Sequence, residues 1–121
     1  MKLQPCEYSE FIAGHLSTAM GSDAHLIERD IKMNRCQVWR FSFENETLGY
    51  AVTRMESDTF VVVAYEGSDV ASFGDMIVRI CEMKKVPFAR FHTQRPGLIK
   101  LLAALNPEPL EYVVRVNCYG R

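Results

Sequence analysis

The stretch 84–106, KKVPFARFHTQRPGLIKLLAALN, constrains the fold of this chain more than any other. Pro87 opens it, and residues 88–92 alternate apolar and polar side chains, the pattern of a half-buried strand. Thr93 and Gln94 break the alternation, and Pro96 stands where the first turn of a helix tolerates a missing amide hydrogen. Leu98, Leu101, Leu102 and Leu105 then recur at helical spacing to form one apolar face, which Asn106 and Pro107 end. A strand running straight into such a helix is half of a βαβ unit. In sheets of this kind ligands sit beyond the carboxyl ends of the strands, which here means Phe91, His92 and Thr93.

With 121 residues, the chain is expected to form one domain over 1–121 with a core of its own. It carries 14 basic and 15 acidic side chains, and Lys84-Lys85 is the only adjacent basic pair. That balance argues against nucleic acid as the main partner. The 4 cysteines (Cys6, Cys36, Cys81, Cys118) are isolated, with neither C-x-x-C spacing nor a nearby histidine pair, so no metal site is expected. The N-terminus has no apolar secretory core, and the thiols are expected to be reduced, in a cytoplasmic protein. No apolar run approaches membrane-spanning length.

The rest of the chain supplies the neighbours that a βαβ unit needs. A short strand is expected over 1–7, then a helix capped by Ser9 with Ile12, Leu16, Ala19 and Met20 inward, ending at Gly21. Ser22 or Asp23 caps a second helix running to about Lys32, with Leu26, Ile27 and Ile31 inward. Strands are expected at 37–43, 48–55 and 59–65, separated by polar turns. In the first of them Trp39, Phe41 and Phe43 share one face. The third, TFVVVAY, is apolar throughout and should be central and covered on both faces. Residues 66–72 form a loop into a helix whose stripe is Phe73, Met76, Ile77, Ile80 and Cys81. A last strand over 110–116 follows the stretch that opened the argument. The order is βααβββαβαβ, an α+β fold of α/β/α layers around a mixed central sheet, with the strands at 59–65 and 87–92 parallel. Val61, Val63, Ile77, Ile80, Leu101, Leu102, Leu105 and Val114 are the expected core.

That order resembles the GNAT superfamily of acyltransferases. Four stretches carry the resemblance: QVWRFSF…LGYAVTRM…TFVVVAY, SFGDMIVRICEMKK, FARFHTQRPGLIKLLAAL and PLEYVVRV, together about two-thirds of the chain. In its shortness the chain is similar to the compact GNAT-like proteins of bacteriophages and prophages. An unrelated α+β domain that shares the order is the alternative.

The resemblance implies an acetyl-CoA site at the loop after the fourth strand, where the family has Arg or Gln, two residues, Gly, any residue, and Gly or Ala. Backbone amides at a helix N-terminus cradle the pyrophosphate there, and small residues allow close approach. In register this chain reads Asp69-Val70-Ala71-Ser72-Phe73-Gly74. Gly74 matches and Ser72 is small, but Asp69 puts a carboxylate where the family has a cation or a neutral donor. Read without the resemblance, the same residues are a loop and a helix cap at Asp69 or Ser72. Tyr65, Asp69, Ser72, Phe73 and Gly74 are the implied cofactor contacts.

The resemblance also implies direct attack of an amine on the thioester, with Glu66 as the strand-end base. Thr93 falls where many members carry Asn, and His92 is a further candidate base at the same strand end. The family's helical tyrosine acid has no match in 96–106, so Tyr65 or Tyr112 would have to stand in. Arg90 and Arg95 flank this edge as candidate anion holders. His15 and His25 lie in the N-terminal helices with no telling spacing.

Two functions stay open. One is an acetyl-CoA-dependent N-acyltransferase acting on a small-molecule or protein amine. The other is a non-catalytic GNAT-like module that binds or builds, with copies of itself or with a phage protein, in the host cytoplasm or the virion.

Overall fold

The computed structural model describes residues 1–92, 108–110 and 113–118. Strand β1 (Lys2–Cys6) is followed by helix α1 (Glu10–Met20), a single 3-10 turn (Gly21–Asp23) and helix α2 (Ala24–Lys32). Three strands come next, β2 (Gln37–Phe43), β3 (Glu46–Glu56) and β4 (Thr59–Gly67). Helix α3 (Val70–Lys84) leads to β5 (Phe88–His92), and β6 (Glu108–Leu110) and β7 (Val113–Asn117) close the chain. Together the strands form a 7-stranded sheet in the order β1-β2-β3-β4-β5-β7-β6. Pro5 is tolerated in β1 because that strand lies at the sheet's edge.

The decisive expectation concerned β4 and β5, and they pair in parallel, Thr59 with Phe88 through Val62 with Phe91. Helix α3 makes the crossover that parallel pairing requires. The final run differs from the single strand expected over 110–116. It is two strands, β6 and β7, paired antiparallel with Leu110 opposite Val113. The alternation within 110–116 cannot reveal a reversal when the residues on both sides of it favour strand. The helix expected over 96–106, with Leu98, Leu101, Leu102 and Leu105, lies outside the described residues, as do Thr93, Arg95, Tyr112 and the side chain of Val114.

Both sheet faces are covered. Phe41, Ala51, Phe60, Val62, Ala89 and Phe91 pack against α3 through Phe73, Ile77, Val78 and Cys81. On the opposite face Val38, Tyr50, Val52, Val61, Val63 and Ala64 pack against Ile12, Leu16 and Met20 of α1 and Ile27 of α2. Ser9 caps α1 by accepting the Ile12 amide at 3.3 Å, and Gly21 ends it with φ 57°. Tyr8 donates to Glu28 at 2.7 Å and ties the entry of α1 to α2.

Three side chains depart from the faces expected of them. Leu26 is exposed, because α2 turns only a narrow stripe with Ile27 at its centre to the sheet. Ile80 is half-buried while Val78 is fully buried, so the stripe of α3 is rotated toward Val78. Phe43 is exposed and Ser42 buried at the end of β2, where the β2–β3 register shifts between Phe41 and Ser42. That bulge places Leu48 as the extra residue and interrupts the alternation.

Candidate functional site

A second register shift matters more. Val52 pairs with Ala64, but Thr53 pairs with Val62, so Val63 is an extra residue in β4. Val63 and Ala64 consequently lie on the same face, that of α1 and α2. A bulge bends its strand and increases the local twist. Among the described residues the last pair of the parallel ladder to β5 is Val62 with Phe91. Beyond it the described pairs of β4, from Ala64 to Gly67, are with β3. Alternate backbone groups on this part of β4 point away from β3.

The residues on the two sheet faces beside the bulge follow from the register. Glu66 is opposite Tyr50 in the β3–β4 ladder and shares its face. On β5, Ala89 and Phe91 face α3, which puts Arg90 and His92 on the face of Glu66. Two of the expected catalytic residues, Glu66 and His92, thus share one sheet face on neighbouring strands, both half-buried. Thr93 lies outside the described residues. Burial, followed by the charges of Arg54 and Arg90, holds the His92 imidazole below its ordinary pKa, with Glu56 and Asp23 acting in the opposite sense.

Arg90, expected as an anion holder, already has a carboxylate partner. It bonds Glu56 Oε1 at 2.5 Å, while Arg54 Nε bonds Oε2 of the same carboxylate at 2.9 Å. This bridge joins β3 to β5 across β4. Burial raises the Glu56 carboxyl, yet the hydrogen bonds and charges of Arg90 and Arg54 outweigh it and the net shift is downward.

The other face holds the expected cofactor residues. Tyr65 stacks on Phe73 with ring centroids 3.9 Å apart, and Phe41 meets both rings edge-on. The Tyr65 hydroxyl donates to the Ser68 carbonyl at 2.7 Å, and the Ser68 amide donates to the Leu48 carbonyl at 2.9 Å. Burial pushes the Tyr65 phenol up, helped by the charges of Asp69 and Glu66. Gly49 and Gly67 pair beneath this ring, where an added Cβ on Gly49 would stand 2.6 Å from the Tyr65 oxygen.

Helix α3 begins at Val70, with Asp69 as its cap in the left-handed region, φ 53° and ψ 53°. Phe73 already donates its amide to the Asp69 carbonyl, and Phe73 and Gly74 are both buried within the helix. The amides left over at the helix start therefore belong to Val70, Ala71 and Ser72. The Asp69 carboxylate itself accepts the Ser72 amide at 3.3 Å. An anion bound here would have to share this N-terminus with the protein's own carboxylate.

The structure also joins residues that sequence spacing did not connect. His15 lies 5.5 Å from Tyr50 and 4.7 Å from Phe11, centroid to centroid. Tyr50 in turn stands opposite Glu66. The sequence signal was faint: an i, i+4 pair of Phe11 and His15 beside the buried stripe of α1.

Comparison with known proteins gives the fold its name. No family model matches the sequence, and no curated protein matches it. Solved structures do match along nearly the whole chain. A Bacillus subtilis acetyltransferase in complex with CoA is similar at TM-score 0.65 and 10% identity, over 95% of each chain. A GNAT family acetyltransferase from Elizabethkingia anophelis with acetyl-CoA bound is similar at TM-score 0.65 and 10% identity, over 96% of this chain and 97% of that one. A probable acetyltransferase from Staphylococcus epidermidis reaches TM-score 0.65 at 6% identity, over 96% and 98%. At such identities the likeness is one of fold, and the chain has the GNAT acyl-CoA N-acyltransferase fold.

Proposed function

We propose that this GNAT-fold chain is an N-acyltransferase that moves an acyl group, acetyl in the first instance, from coenzyme A to a primary amine. One observation carries the reading: the Val63 bulge follows the last described β4–β5 pair, Val62 with Phe91, and Glu66 and His92 lie on one face of these two neighbouring strands. Acetyl-CoA, the ligand bound in a structure of this fold, would supply the thioester carbonyl. The β4 edge beyond Val62 offers backbone donors toward that carbonyl as its oxygen gains charge. Glu66 pairs with the incoming ammonium and takes one proton to free its lone pair; as the C–N bond forms and the C–S bond breaks, the second amine proton passes to the departing thiolate and leaves CoA as its thiol. His92, kept neutral by burial and by the arginines, is free to relay that proton.

Tyr65 suits positioning better than acid catalysis. Its phenol is raised above the ordinary value of about 10, and so above that of an alkyl thiol, so proton transfer to the leaving thiolate runs uphill. The stack on Phe73 and the bond to Ser68 hold its ring in a fixed place. The α3 terminus fits the diphosphate only in part, since Val70 and Ala71 offer amides while Asp69 occupies that of Ser72.

The test is calorimetry with acetyl-CoA and CoA, followed by an assay of CoA release with a panel of amines. Weak binding of acetyl-CoA and measurable transfer are expected, with transfer falling about 100-fold or more in Glu66→Gln. A second reading rests on the Asp69 cap: a binding or structural module, in a phage assembly or elsewhere, that has given up the donor. Absence of acetyl-CoA binding by both the wild type and Asp69→Asn would favour that module.

A further inference from the structure

We infer that the cavity between the start of β2, the end of β3 and the C-terminal end of α3 is a second ligand site, one that takes a small aromatic carboxylate. Its volume is about 240 Å³, room for a fragment-sized molecule rather than a cofactor. Phe60, near the start of β4, and Lys84, at the end of α3, line it. Glu66 and Asp69 mark the opposite ends of the same strand and helix. At about 3.3 Å per strand residue, Phe60 and Glu66 stand roughly 20 Å apart along β4. The cavity therefore shares no residue with the acyl-transfer site, and the inference goes beyond that reading and does not depend on it.

The floor of the cavity is aromatic and held in place. Trp39 and Phe60 belong to the core on the α3 face of the sheet. The Trp39 indole donates to Thr53 Oγ1 at 2.7 Å, which fixes the ring and uses its one donor. What remains to a ligand is the π surface. Met55 stands opposite Phe60 in the β3–β4 ladder and is 51% exposed. An exposed thioether beside aromatic rings is an adaptable wall against which a further ring packs well.

The rim is cationic. Lys84 and Arg35 line the cavity and are exposed, and among the described residues no carboxylate lines it. Arg54 also borders it, but bonds Glu56 on the opposite sheet face. Asp30 holds Arg29 at 3.6 Å and Arg35 at 3.8 Å, so Arg35 brings a partly compensated charge. Glu82 and Asp58 are exposed on the bordering segments, outside the lining. Lys84 is thus the principal charge. The carbonyl end of α3 offsets only part of it, since a helix terminus carries about half an elementary charge. A carboxylate attached to a ring that lies over Trp39 and Met55 can reach this ammonium. An aliphatic acid gains the same ion pair but leaves the rings in water, and an amine meets charge of its own sign.

The probes are 3-phenylpropionate, butyrate and 3-phenylpropylamine, titrated into the full chain at low salt. Trp39 is the only tryptophan, so its emission reports occupancy of the cavity directly, beside calorimetry. The aromatic acid should bind about fivefold more tightly than butyrate and change the emission, which the amine should leave as it is. Lys84→Gln should weaken the aromatic acid about threefold or more, with the melting temperature of the wild type because Lys84 is exposed. If that variant does not fold, Met55→Ala, also at an exposed position, serves in its place and should bring the aromatic acid down to the affinity of butyrate. Equal affinity for the two acids, an equal response to the amine, or affinities untouched by the variant overturns the site. So does displacement of the aromatic acid by acetyl-CoA, which would place it in the donor's own site. Binding that persists in the presence of acetyl-CoA, or in a chain that transfers no acyl group, supports it.

Discussion

Asp69 shows how one residue can decide what a helix terminus is used for. It sits at φ 53°, a conformation that Asp and Asn tolerate better than most residues, and its side chain satisfies the Ser72 amide. A carboxylate in that place opposes the diphosphate it is expected to meet. Asp69→Asn keeps both the cap and the backbone conformation while removing the charge. It should bind acetyl-CoA about threefold more tightly, an effect that shrinks with added salt. Asp69→Arg adds an attractive charge but gives up the cap, at about 0.5–2 kcal/mol of stability, so its melting temperature should fall while affinity rises. Unchanged affinity in both variants, read by calorimetry at low salt, would mean that the carboxylate does not face the donor.

His92 makes a prediction of a different kind. Its folded pKa is depressed, chiefly by burial, so its contribution to stability is complete above the unfolded value of about 6.5. As pH falls through the folded value, the unfolded chain binds the proton first and that contribution is lost. Urea unfolding should show declining stability between about pH 7 and pH 5, and His92→Asn should flatten this part of the profile. A parallel decline in the variant would assign the effect to other groups.

At the scale of elements, β3 and β4 carry the site. Gly49 is one place where the ladder admits no side chain, since its Cβ would lie 2.7 Å from the Glu66 carbonyl oxygen and closer still to Tyr65. Gly49→Ala should cost about 1–3 kcal/mol and displace Tyr65, visible as loss of the Tyr65–Phe73 contact shifts in a spectrum. Helix α3 is held by Ile77, which is fully buried against the sheet. Ile77→Ala should cost about 2–5 kcal/mol in chemical denaturation. A loss below about half a kcal/mol would show that the helix does not pack in this register.

Across the whole molecule, two cores on opposite sheet faces protect the thiols unequally. Cys36, Cys81 and Cys118 are buried and Cys6 is half-buried, and none of the 4 forms a disulfide. Burial raises the thiols of Cys6 and Cys36, which further slows their attack. A thiol reagent should therefore modify Cys6 alone on the native protein, slowly, and all 4 after denaturation. Rapid native modification of Cys36, Cys81 or Cys118 would contradict the packing. Among the described residues no helix is long and apolar enough to cross a membrane.

The identity, order and direction of most elements could be read from the chain because their causes are local. Ser9 and Gly21 bound α1, alternation marks β2 and β5, and a helix between two strands requires the parallel pairing of β4 with β5. The bulge at Val63 was not legible. In TFVVVAY both faces are apolar, so an extra residue leaves no trace in the pattern, yet it puts Val63 and Ala64 on one face and sets the face of Glu66. Nor could spacing bring His15 and Phe11 of α1 to Tyr50 of β3, which pairs with Glu66 of β4. Those residues lie far apart in the chain, and only the register of packed strands and the seating of α1 on the sheet decide which side chains share a face.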